Sequence, residues 1–263
     1  MTVLNNFGIP DDLPLPDQTE AKAGGADYVP PEKGLARMRF VGYIETGVHA
    51  ETFQGKPKEV PKVTLLFELS GKKHAPREID GKKIPHIIKC DLSLSLTDKA
   101  HFFKIFCAMN AGKVHRHIAQ MLGQSFLGTI GHDVVPKKGG KAGETSTFAT
   151  LRKADGSYSI EPPFRVDPET YEQQHYPAAE PISPIRCFIW DHANKAQWDS
   201  IFIDGEHNGK SFNTYQNAIR GALNFEGSPI QEVLMHQAGS NQAKPDAPEG
   251  NISNDDEDDL DGI

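Results

Sequence analysis

Apolar positions along the chain first settle into a period at Leu35. The run ARMRFVGYIETGV partly alternates through Met38, Phe40 and Tyr43 and predicts a long strand, with Gly42 marking a bulge or bend inside it. A turn-rich piece, TFQGKPKEVP, separates it from a second strand, KVTLLFELS at 62–70. The basic loop GKKHAPREIDGKKIP follows at 71–85, with Asp80-Gly81 as its turn signal. A third strand, HIIKCDLSLS, is expected over 86–95. The period then changes. Ser95-Leu96-Thr97-Asp98 has the form of a helix start, and Ala100, Phe103, Phe106 and Cys107 recur at helical spacing up to Gly112. KVHRHIAQMLG predicts a second helix ended by Gly123. Two further strands are expected in SFLGTIGHDVV (125–135) and TSTFATLRKA (145–154), joined by the Gly/Lys loop PKKGGKAGE.

Three strands, a helical insert and two strands is the order of a five-stranded OB barrel. The expected fold is therefore mostly β with α insertions: an OB-fold-like five-stranded barrel at 34–155, an appended α/β region at 156–227, and a disordered acidic tail after a linker at 228–263. Residues 1–33, rich in Pro, Gly and Asp, read as a flexible N-terminal arm. In the appended region, IRCFIWD (185–191) and WDSIFIDG (198–205) read as strands. KSFNTYQNAIRGALNF (210–225) reads as an amphipathic helix with Phe212, Tyr215, Ile219, Ala222 and Leu223 on one stripe. Trp190 and Trp198 are expected in the core.

Charge sharpens this picture. The chain carries −8, yet residues 51–155 hold 18 bases against 10 acids. Residues 245–263 hold eight carboxylates and no Lys or Arg, so the acidity sits in the tail. So dense a run of like charge cannot bury enough apolar surface to fold, which predicts a solvated interaction arm. The basic middle segment creates a local positive field suited to phosphates. Three widely spaced cysteines (Cys90, Cys107, Cys187) argue against a disulfide framework and for a reducing, cytoplasmic setting. No stretch reaches the roughly 20 apolar residues that span a bilayer, so no membrane role is expected.

Sequence-independent binding of a single strand needs cations for phosphates and aromatic faces for bases. The candidate cations are Lys56, Lys58, Lys62, Lys72, Lys73, Arg77, Lys82, Lys83, Lys89, Lys137, Lys138, Lys141, Arg152 and Lys153. Phe40, Tyr43, Phe53, Phe67, Phe148 and Tyr158 are the aromatics near them; Tyr43 and Phe53 are the stacking candidates, and Phe67, inside LLF, is expected in the core. His115-x-His117 lies near Cys107 and His132, but no zinc-ligand spacing is present, so no metal or other cofactor is expected. Neither a P-loop nor a G-x-S-x-G motif occurs, and Asp91, Asp133 and Asp204 have no nuclease-like grouping, so a non-catalytic protein is expected.

With these features in view, the chain resembles bacteriophage single-stranded DNA-binding proteins. The resemblance is carried by FGIPDDLPLPD, by RFVGYIETG…KVTLLFELSG and by the acidic tail. It implies single-stranded DNA binding in phage DNA replication or recombination, in the cytoplasm of the infected host. It also implies that Asp255, Asp256, Glu257, Asp258, Asp259, Leu260, Asp261 and Ile263 form a partner-recruiting tail that competes with DNA. Homo-oligomerisation is compatible with it. The alternative is a non-enzymatic adaptor or inhibitor of host machinery whose tail mimics DNA.

Overall fold

The computed structural model describes residues 29–79, 81–137, 143–207 and 209–240. The protein is mostly β, built on one large antiparallel sheet. Its strands are β1 (Gly34–Phe53), β2 (Lys56–Ser70), β3 (Ile87–Ser93), β4 (Ser125–Pro136) and β5 (Thr145–Thr150). They lie in the order β3-β2-β1-β4-β5. The short β6 (Ile160–Glu161) joins β4, and β7 (Arg186–Phe188) runs parallel to β1. Helix α1 (His101–Met109) falls between β3 and β4. The outer strands β3 and β5 approach each other, but no ladder joins them among the described residues. Among the described residues the sheet is not hydrogen-bonded into a closed barrel.

β1 can serve β2, β4 and β7 because it is bent. Its ladder with β2 breaks register between Phe40 and Gly42 and again between Glu45 and Gly47. Both glycines sit where a side chain would collide. A Cβ on Gly42 would meet Leu66 Cδ1 at 2.6 Å, and one on Gly47 would meet the Trp190 ring at 2.5 Å. Bulges of this kind increase coiling and turn a strand from one set of partners to another.

The hairpin β1–β2 is buried on both faces. On the inner face lie Met38, Phe40, Tyr43, Leu65, Phe67 and Leu69, with Ile88, Cys90 and Leu92 from β3 and Phe126 from β4. Phe102, Ile105 and Met109 of α1 pack against them. The outer face carries Val41, Ile44 and Leu66, covered by Phe188, Trp198, Ile201, Ile219 and Ile230. These come from β7, from α2 (Lys195–Ser200) and the residue after it, from α3 (Thr214–Arg220) and from α4 (Pro229–Ser240). Burial on both faces explains why residues 40–47 and 63–69 read as near-continuous apolar runs rather than clean alternations. β3, buried on one face only, keeps the strict alternation.

Residues 176–183 cross the outer face as a strap held by two charged side chains. Arg39 donates to the carbonyls of Ala178 at 2.8 Å and Ala179 at 2.7 Å, and to Glu180 at 3.0 Å. The buried Glu68 carboxylate accepts from the amides of Ile182 at 2.7 Å and Ser183 at 2.8 Å. Hydrogen bonds to both oxygens are what makes a buried carboxylate tolerable.

Several sequence expectations change here. The strand expected at 198–205 is instead the end of α2 and a loop. Asn194 caps that helix by accepting from the Gln197 amide at 3.0 Å, and Trp198 and Ile201, three apart, are buried together. The second helix expected near 113–123 is only a four-residue 3-10 turn, Ile118–Met121. The helix expected at 210–225 is confined to α3, after a small hairpin at 206–211. The turn-rich stretch 52–61 is mostly strand, because β1 and β2 continue as a ribbon to a two-residue turn at Gln54-Gly55.

Candidate nucleic-acid interface

A basic groove opens at the end of the sheet where β1 begins. Alternation puts Met38 inside and exposed Arg37 outside. Arg37 lies opposite Ser70, the last residue of β2. Gly71, with φ of 110°, turns the chain sharply into the 3-10 turn Lys72–His74. The buried His74 anchors that turn by its Nε2 contact, 2.9 Å from the Glu32 carbonyl oxygen, leaving Lys72 and Lys73 exposed. Across from them sits the half-buried Tyr176, whose amide donates to the Pro163 carbonyl at 2.6 Å. The Arg37 guanidinium carbon stands 5.8 Å from the Tyr176 ring centroid, a cation–π arrangement. The groove encloses about 440 Å³ and no carboxylate is among its lining residues, although Lys73 at its edge pairs with the exposed Glu32 at 3.8 Å.

The small hairpin Arg77–Ile79 with Lys82–Ile84 belongs to the same loop and exposes Lys82 and Lys83. Arg77 Nε is buried without an acceptor among the described residues. Near it, partial burial and then the charges of Arg77 and His74 push the His86 pKa down. Burial is the larger cause of the His86 shift, and the neighbouring cations add to it.

The other predicted residues scatter. Tyr43 is fully buried, so its assignment as a base-stacking residue is corrected. Its hydroxyl donates to Glu45 Oε1 at 2.5 Å, and its ring meets His117 edge-on at 5.1 Å. The bulge between Phe40 and Gly42 turns this ring to the same inner face as Phe40, a shift that local alternation cannot reveal. Phe53, by contrast, is 64% exposed at the ribbon tip, beside exposed Lys56 and Lys58. Half-buried Lys62 pairs with Glu51 on that ribbon. Lys89 lies between Asp91, at 3.0 Å, and the Tyr215 ring, at 5.6 Å. Lys137 pairs with Glu144 at 3.8 Å. Arg152 bridges to Tyr158 just beyond β5, with Lys153 next to it in the following turn. Lys138, Lys141 and the tail residues Asp255–Asp259, Leu260, Asp261 and Ile263 lie outside the described residues.

The three lysine loops therefore do not converge. β4 pairs with the start of β1, and β2 ends there, so the 71–86 loop and the β4–β5 hairpin share one end of β1. The β1–β2 tip occupies the other. The outer face of β2 and β3 is also not open ground. Thr64 donates to Asp91 at 2.6 Å there, and Thr214 and Tyr215 of α3 close a small cleft over Lys62 and Lys89. Burial pushes the Tyr215 phenol up to about 12.

Arg37, Tyr176 and His86 are absent from the sequence-derived set. Arg37 was legible as an outward position of ARMR, but nothing local ties Tyr176 to a loop about a hundred residues earlier. Among the described residues, no three His, Cys, Asp or Glu side chains are placed to hold a metal ion. No helix among them is long and apolar enough to cross a membrane. No family model, curated protein or solved structure matches the chain.

Proposed function

We propose that this protein binds single-stranded DNA without base-sequence preference, as a non-catalytic coat protein of phage type. The observation that carries the reading is the groove of Arg37, Lys72, Lys73 and Tyr176, which brings three cations and a ring together; of the cations, Lys73 has an exposed, solvent-screened ion pair with Glu32. Cations neutralise phosphates and an aromatic face receives a base; both act independently of sequence. The strand order, with α1 between β3 and β4, supports an OB-like core. Oligonucleotides usually cross strands 2 and 3 of such a core. Here the C-terminal layer packs over much of that face, so the strand path shifts toward the start of β1. Phe53 and its neighbouring lysines would make a second, separate contact.

The test is fluorescence anisotropy of labelled oligo-dT, with duplex as competitor, over a salt series. Binding should weaken with salt at a log–log slope of about −0.7 per phosphate neutralised on a single strand. K72E/K73E should weaken it at least tenfold and flatten the slope. Equal affinity of the wild-type protein and this variant for oligo-dT would remove the groove from the reading.

A further inference from the structure

A second cleft, of about 290 Å³, lies beside α1 and has different chemistry. Its walls are apolar: Leu94 and Leu96 from the loop after β3, Phe102 and Phe106 from α1, and Ile118. Leu96 is 71% exposed at the lip, an apolar side chain with little cover. The floor holds Tyr43 and Glu45, and the rim carries Arg116 and His117. Glu45 is already satisfied, accepting from the Tyr43 hydroxyl at 2.5 Å and from the Trp190 amide at 2.7 Å. The cleft therefore needs no cation. It offers an apolar well beneath a positive rim. Residues 96–117, which form the lip, α1 and this rim, contain Lys99, Lys104, Lys113, Arg116 and three histidines against a single carboxylate, Asp98.

One segment of the chain has the complementary chemistry. Residues 254–263 read NDDEDDLDGI, six carboxylates with Leu260 and Ile263 as the only large apolar side chains. The described residues end at Ser240, in α4. α4 packs on α2 and on the turn Trp190–His192. Trp190 lines a neighbouring cleft that shares Glu45 and Leu94 with this one. The twenty residues from Ser240 to Leu260 can reach up to about 66 Å, farther than the breadth of a compact body of this size. The groove at the start of β1 could attract the carboxylates, but the α1 cleft adds a well for Leu260 and Ile263.

We propose that residues 254–263 dock in the cleft beside α1 of their own chain. Leu260 and Ile263 enter the apolar well, and the carboxylates run along Arg116 and the basic stretch behind it. The site is distinct from the basic groove, and the inference holds whether or not that groove binds DNA.

The test uses the full chain. Hydrogen exchange of the wild-type protein is compared with L260D/I263D. Amides of 94–106 and 114–118 should exchange at least fivefold faster in the variant, while those of 70–86 stay unchanged. A labelled peptide of residues 251–263, added to L260D/I263D, should bind that protein. Adding L96E or R116E, both at exposed positions, should weaken the peptide at least fivefold, and adding K72E/K73E should not. Unchanged exchange overturns the proposal. So does an effect confined to 70–86, which would place the tail in the basic groove. Protection that grows with protein concentration also overturns it, because the occupant would then be the tail of a second copy.

Discussion

Tyr43 offers the sharpest test, because two readings of it predict opposite results. In the structure its phenol is sealed in the core and supplies one of the two hydrogen bonds that satisfy the buried Glu45 carboxylate. Tyr43→Phe removes only the hydroxyl. The ring keeps its place against His117 and the inner face of the sheet, so no cavity of consequence opens. What is lost is a hydrogen bond to a charged acceptor, which costs about 1.5–3 kcal/mol. For a body of this size each kcal/mol lowers Tm by about 2–4 °C, so a fall of about 3–12 °C is expected. Thermal and urea unfolding followed by tryptophan fluorescence would measure it, since Trp190 and Trp198 belong to the outer core. The loss should shrink by at least half when Tyr43→Phe is made in an E45Q background, where no buried charge depends on the phenol. Oligo-dT affinity should not change. A Tm within about 1 °C of the wild-type value, combined with a tenfold loss of oligo-dT affinity, would falsify the burial argument and return Tyr43 to the binding surface.

Gly47 combines a φ of 85° with a Cβ position 2.5 Å from the Trp190 ring, so Gly47→Val should cost at least the ~1–3 kcal/mol of a strained backbone and displace Trp190. Circular dichroism melts and a shift in tryptophan emission would register it, and a wild-type melt would contradict it. His86 is predicted to make stability pH-dependent. Its folded pKa lies below the ordinary 6.5, so above that value it is neutral in both states and its contribution is complete. As pH falls below 6.5 the unfolded chain takes up the proton first, and stability declines until the folded form titrates as well. His86→Gln should flatten this acid-side slope in urea midpoints taken between pH 7.5 and 5; an unaltered slope would mean that the imidazole is freely solvated.

Much of the large sheet was legible because its strands are marked at both ends. Glycines, a basic loop and the change to helical period bracket β2, β3 and α1 closely. The C-terminal layer was harder to read. Trp198 and Ile201 sit in a short sequence whose apolar spacing suits a strand as well as a turn of helix, and only packing against Phe188 and Ile219 decides between them. The candidate site was half legible. Lys72, Lys73, Lys82 and Lys83 announce themselves as a charged loop. Which ring faces them depends on the strap at 176–183, held by Arg39 and Glu68 more than a hundred residues away in sequence. Long-range hydrogen bonds of that kind leave no local period. Tyr43 misleads for a related reason: the register break between Phe40 and Gly42 decides which way its ring turns.

The two-sided burial of β1 and β2 bears on how this molecule can be dissected. A fragment stopped near residue 155 would keep β1 to β5 of the large sheet and look like a natural unit for expression. It would also strip the cover from Val41, Ile44 and Leu66 and leave the Glu68 carboxylate without its amide donors. Such a fragment should be sticky and short-lived in solution, so the C-terminal layer is better regarded as the other half of a laminate than as a removable accessory.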